Sequence, residues 1–154
     1  MKELIRGFWV FNTTRTIYEN TMCQLFIAAD SELWKSSTRS IRIDGVVTSI
    51  RLEQFFWNML EEIADRDDLS VAQLITKLYL EAIDADHDLG NFTSFLRVCC
   101  SRYLSLIADR KLERDSRKPL GTVDGKALID FEKANTDKRQ SDIEKRRKPN
   151  ITLN

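Results

Sequence analysis

Between Thr38 and Ala64 the spacing of apolar residues changes once, abruptly. Ile41 and Ile43, then Ile50 and Leu52, alternate with polar neighbours. That is the period of a half-buried strand. Asp44-Gly45 lies between the two runs. A type I′ hairpin turn favours this pair, because both central residues take positive φ. With Asp44 and Gly45 in the loop, Ile43 faces Val46, Arg42 faces Val47, Ile41 faces Thr48 and Ser40 faces Ser49. Thr38, Ser40, Arg42, Val47, Ser49 and Arg51 then share a mostly polar face. Ile41, Ile43, Val46, Thr48, Ile50 and Leu52 share a mostly apolar one.

From Glu53 the period becomes helical. Phe56, Met59, Leu60, Ile63 and Ala64 predict an amphipathic helix of about three turns, ending near Asp65–Asp68. Ser70 with Gln73 forms the capping-box pattern at the start of a second helix, whose stripe is Val71, Leu74, Ile75, Leu78, Tyr79 and Ala82. After the acidic loop "DADHDLGN", Asn91 or Thr93 caps a third. Its stripe is Phe92, Phe95, Leu96, Cys99, Tyr103, Leu104 and Ile107. Cys99 is expected as a buried, reduced thiol. Upstream, Cys23–Ala28 reads as a strand, and "DSELWKSS" as a turn or short helix capped by Asp30 or Ser31. Residues 1–21 show no clear pattern and read as an extension dispensable for the fold.

From Ala108 the chain turns polar, carries both prolines, and ends near the charge run "EKRRKPN". Residues 108–154 are therefore expected to be mostly disordered, with "KALIDFEKA" able to form a turn or two of helix on a partner. The organisation expected is an extension over 1–21, a domain over 22–107 and a tail over 108–154.

Charge divides along the same line. Residues 1–107 hold 11 Lys and Arg against 15 Asp and Glu, a net of −4; residues 108–154 hold 13 against 9, a net of +4. An acidic folded part counts against a strongly basic nucleic-acid binder. No apolar run has the length of a membrane span. The start lacks the apolar core and small-residue cleavage site of a secretory signal, so a cytoplasmic protein is expected. There is no Gly-rich phosphate loop and no histidine placed to activate Cys or Ser. The one histidine, His87, sits in the acidic loop without metal-ligand spacing. No enzyme, metal or cofactor is expected.

The stretch "GVVTSIRLEQFFWNMLEEIADRDDLSVAQLITKLY", followed by "NFTSFLRVCCSRYL", resembles a family of bacterial ribbon-helix-helix domain proteins common in alphaproteobacteria. The resemblance runs from about Met22 to Leu106. Where the family usually has Gly after its first helix, this chain has Asp68. The resemblance implies a mainly α fold with a short β-ribbon: a ribbon-helix-helix dimer with an extra hairpin strand and a third helix. In such proteins two chains pair their strands, and the two-stranded ribbon enters the DNA major groove. A homodimer also suits the bulk of Phe55, Phe56 and Trp57, large for the core of so small a single chain. Carried onto this sequence, Ile50 and Leu52 point into the core. Val47, Ser49 and Arg51, with Arg42 on the paired strand, face the groove. Arg51 has the fork that matches guanine O6 and N7. Ser70 caps a helix whose first amides grip a phosphate.

The implied partners are a second copy of the chain and double-stranded DNA, with no membrane, and the implied role is transcriptional regulation. One obstacle is steric. Strands lie about 4.8 Å apart, so a four-stranded dimer sheet spans about 14 Å, against a major groove about 12 Å wide. Groove binding requires that the Ile41–Ile43 strand bends away or does not form. The alternative is a protein-interaction module, antitoxin-like, using the sheet face or the tail on a protein partner.

Overall fold

The computed structural model describes residues 22–114 and 118–147. The segment 1–21, expected to be a dispensable extension, lies outside the described residues. The chain divides between Ser31 and Glu32 into two units. In the first, α1 spans Met22–Ile27, where a strand was expected. A strand needs a neighbour to satisfy its amides, whereas a helix satisfies them locally. Leu25, Phe26 and Ile27 are all exposed.

The second unit begins within a 3-10 turn at Ser31–Trp34. β1 (Ser36–Ile43) and β2 (Val46–Glu53) form one antiparallel two-stranded sheet. Their register runs from Ser36 opposite Glu53 to Ile43 opposite Val46, the pairing the Asp-Gly turn dictates. Asp44 and Gly45 take φ values of 47° and 83°, as a type I′ turn requires.

α2 (Gln54–Arg66) begins directly after β2. Asp68 takes φ 54° just past its end, the left-handed position that Gly fills with less strain. α3 (Val71–Asp84) opens on the full capping box. The Gln73 amide donates to Ser70 Oγ at 3.2 Å, and the Ser70 amide to Gln73 Oε1 at 2.8 Å. α4 (Phe92–Ala108) is capped by Asn91, whose side chain accepts from the Ser94 amide.

α2 and α4 lie along β2, and α3 lies along β1. Leu52, Trp57, Leu60, Ile75, Leu96 and Cys100 are fully buried between them. Trp57, absent from the expected stripe, is at the centre, so this chain encloses its bulk without a partner; Phe55 and Phe56 stay half-buried at the margin. On α4 the buried row is Leu96, Cys100, Tyr103 and Leu106. Cys99, expected inside, is half-buried, and Cys100 takes its place. Phe92 and Phe95 biased the expected face toward one side of the helix. They stack on each other at the core's edge instead, with centroids 5.8 Å apart.

The expectation of disorder does not hold over α5, Gly125–Arg147. Arg102 pairs with Glu132, and Asp109 with Arg139. The second pair lies seven residues beyond the first on both segments, so α5 runs parallel to α4. Asn135 adds a bond to Asp109 at 3.0 Å, and Lys111 lies over the Phe131 ring. The link between α4 and α5 is fastened to the end of α2. The Asp67 carboxylate accepts from the Leu120 and Gly121 amides, and Arg114 holds Glu62 through two bonds of 2.9 and 2.7 Å. Charge pairing and a few apolar contacts order a segment whose composition alone reads as solvated.

Candidate functional site

The hairpin separates two environments by the pleat alone. Ile41, Ile43, Ile50 and Leu52 are at most 6% exposed. Their alternates Thr38, Ser40, Arg42, Val47, Ser49 and Arg51 are all exposed. Thr38 lies opposite Arg51, Ser40 opposite Ser49, and Arg42 opposite Val47. The expected outward residues thus make one continuous patch of hydroxyls, two guanidinium groups and one valine.

The two arginines differ in freedom. Arg42 Nη1 donates to the Gly45 carbonyl at 2.9 Å, bending the side chain over the turn. Arg51 makes no hydrogen bond or ion pair among the described residues. Its charge reaches only as far as helping to stabilise the Glu53 carboxylate.

Glu53 itself is spoken for. It stands at the junction of β2 and α2 and takes both Nε and Nη2 of Arg97 from α4, at 2.9 and 3.0 Å. The bonds from Arg97 hold its carboxyl below the ordinary range, against the opposing effect of burial. The same pairing raises Arg97. Burial pushes the Cys100 thiol up to about 12, with the neighbouring Cys99 adding to the shift, which disfavours the thiolate.

Ser70 is where the capping pattern placed it, with its hydroxyl engaged by Gln73. Arg42, Ala72, Gln73 and Thr76 line one open surface groove. The Thr76 hydroxyl donates to the Ala72 carbonyl at 2.8 Å and lies 3.4 Å from the Arg42 carbonyl. The turn end of the hairpin thereby sits beside the first turns of α3.

β1 neither bends away nor fails to form: all eight of its residues pair with β2. Sequence spacing missed what fixes it. Trp57 Nε1 donates to the Ser37 carbonyl, Arg39 lies over the Trp57 ring at 4.5 Å, and Arg39 pairs with Glu61 at 2.7 Å. No short motif signals contacts about twenty residues apart. A second feature was also missed. Val46, on the core side of the sheet and opposite Ile43, is 66% exposed. It stands on β2, whose outer edge has no strand beside it among the described residues.

Residues 36–104 match the ribbon-helix-helix domain family. Among solved structures, the chain is similar to an uncharacterized protein from Bordetella pertussis Tohama I, with 46% identity and a TM-score of 0.68, covering 71% of this chain and 88% of that one. No curated protein matches the chain. No helix among the described residues is long and apolar enough to cross a membrane. With the strand, the two helices behind it and the register all in place, the chain belongs to the ribbon-helix-helix domain family, a family of DNA-binding regulators.

Proposed function

We propose that this protein is a dimeric DNA-binding transcriptional regulator that reads double-stranded DNA with the outward face of its hairpin. The observation that carries this is the position of Arg51 and Ser49. Both are exposed on a strand whose other face is core, and Arg51 has no competing hydrogen bond among the described residues. A guanidinium so placed matches a guanine edge, and a serine hydroxyl accepts or donates to either base pair. Arg42 and the start of α3 at Ser70 flank this face and suit the phosphate backbone. A DNA target places its work in the cytoplasm.

The dimer rests on β2. Among the described residues its outer edge is unpaired, and Val46 beside it is an apolar core-side residue left exposed. A second copy pairing along that edge covers both. Light scattering at micromolar concentration tests this: a homodimer is expected, and Val46→Lys weakens it. A folded monomer of the parent chain rules the dimer out.

One observation favours a second reading. Because β1 is fully paired, a sheet joined through two β2 edges is four strands wide, about 14 Å against a groove of about 12 Å. A flat face of that width suits a protein partner better than the floor of the groove, with α5 a further surface for it. Mobility shift over a range of salt decides between the two. DNA binding that weakens steeply with salt supports the regulator. No shift with any duplex, with the dimer intact, supports the protein module.

A further inference from the structure

We infer that an apolar pocket of about 230 Å³, lined from α2, α3, α4 and the chain that follows α4 and open to solvent, is a binding site for a small, neutral, apolar molecule. Leu60, Leu74, Leu78 and Leu106 line it from the helices, and Leu120 and Leu128 line it from the segment beyond the matched domain.

Two polar side chains at its margin, Arg102 and Tyr103, have partners within the chain. Arg102 gives Nε and Nη2 to Glu132. The Tyr103 hydroxyl donates to Glu62 at 2.9 Å and accepts from Arg66 at 3.3 Å. A carboxylate or ammonium set against the leucine wall would give up water there without a hydrogen-bond partner on that wall, which is unfavourable. The lining therefore selects against charge. The size is informative too: an engineered apolar cavity of roughly 150 Å³ takes up benzene, and drug-sized ligands need about 300 Å³ or more. This space suits one ring with a short substituent, or an aliphatic chain of similar bulk. Access needs no rearrangement, because the pocket is open to solvent. Its outer segment is held in place by Asp67, which accepts from the Leu120 and Gly121 amides, and by the Arg114 pairing with Glu62. The inference is independent of the DNA reading.

The test is calorimetry on the full chain with toluene, benzoate and benzylamine. Toluene is expected to bind saturably, one per chain, and at ten times its Kd to raise Tm by about 3–6 °C. Benzoate and benzylamine should bind at least tenfold more weakly. Nuclear Overhauser contacts from toluene to the Leu78 and Leu128 methyl groups should place it in the wild-type chain. Leu78→Trp, or Leu128→Phe from the opposite wall, should fill the space and abolish binding. Absence of saturable toluene binding overturns the inference, as it would if a second copy fills the space in solution. So do benzoate binding as tight as toluene, or contacts that map elsewhere.

Discussion

The indole N–H of Trp57 donates to the backbone carbonyl of Ser37 at 3.1 Å, joining α2 to the outer strand of the hairpin. The Gln54 amide adds a bond to the Lys35 carbonyl at 2.9 Å, and Arg39 closes over the indole while pairing with Glu61. β1 is therefore held from behind as well as from its side. The width of the exposed face is a fixed property of the domain.

Trp57→Phe removes the N–H donor together with one ring of a fully buried indole. The Ser37 carbonyl then loses its partner in a half-buried position. The expected loss is about 1–3 kcal/mol, read from urea denaturation. Hydrogen exchange should rise more in β1 than in α3. An unchanged urea midpoint would mean that the bond contributes nothing.

The contrast between Asp44-Gly45 and Trp57–Ser37 explains what the sequence could disclose. The turn is local. Two residues with positive φ, flanked by alternating strands, set the register of every pair between Ser36 and Glu53. Ser70 with Gln73 was legible for the same reason, since both hydrogen bonds close within one helical turn. Pairs such as Glu53 with Arg97 or Asp109 with Arg139 are 44 and 30 residues apart. Nothing in the spacing of charges says which will meet, so α5 looked like solvated tail. On α4, Phe92 and Phe95 drew the periodicity toward Cys99, although Leu96 and Tyr103 are spaced equally well for Cys100. In the candidate site the outward alternation was legible, including Arg51. The exposure of Val46 was not, because the pleat gives a residue's side but not whether anything covers it.

Glu53 makes stability depend on pH. Its carboxyl lies below the ordinary value of 4.5, chiefly through the bonds from Arg97. A carboxyl depressed in the folded state contributes stability that is present above its unfolded value and lost as pH falls through the folded one. Solvent reaches both side chains, at 28% and 35% exposure, so screening holds the contribution to about 1 kcal/mol. Glu53→Gln should cost that much at pH 7. The gap to wild type should close as pH falls below about 4.5. Urea titrations at pH 7 and pH 3 measure both. A constant gap would show that the ionised form is not what matters.

Asp68 offers a stabilising change. It holds φ 54° after α2, where the Leu69 amide returns to the Ala64 carbonyl at 3.0 Å. Gly takes this conformation with less strain, and the side chain removed is exposed. Asp68→Gly should raise stability by about 0.5–1 kcal/mol, the relieved strain exceeding the added freedom of the unfolded chain. Thermal unfolding should shift upward by about 1–4 °C. A lower Tm would show that Asp68 earns its place through a contact the backbone does not reveal.

Arg51 decides between the two functional readings. It is exposed, makes no hydrogen bond among the described residues, and sits opposite Thr38 on the outward face. Arg51→Ala should therefore alter stability by no more than about 0.5 kcal/mol. If the face reads DNA, the same change should cost roughly 1–3 kcal/mol per contact in affinity for a selected site, and little for random duplex. Arg146→Ala and Arg147→Ala, at the basic end of α5, should behave differently. They should weaken all duplexes alike and flatten the dependence on salt, because a phosphate contact carries no sequence information. Affinity for both duplexes at two salt concentrations separates these patterns. If Arg51→Ala leaves both affinities unchanged in a folded protein, the four-strand width has prevailed. The hairpin face then belongs to a protein partner.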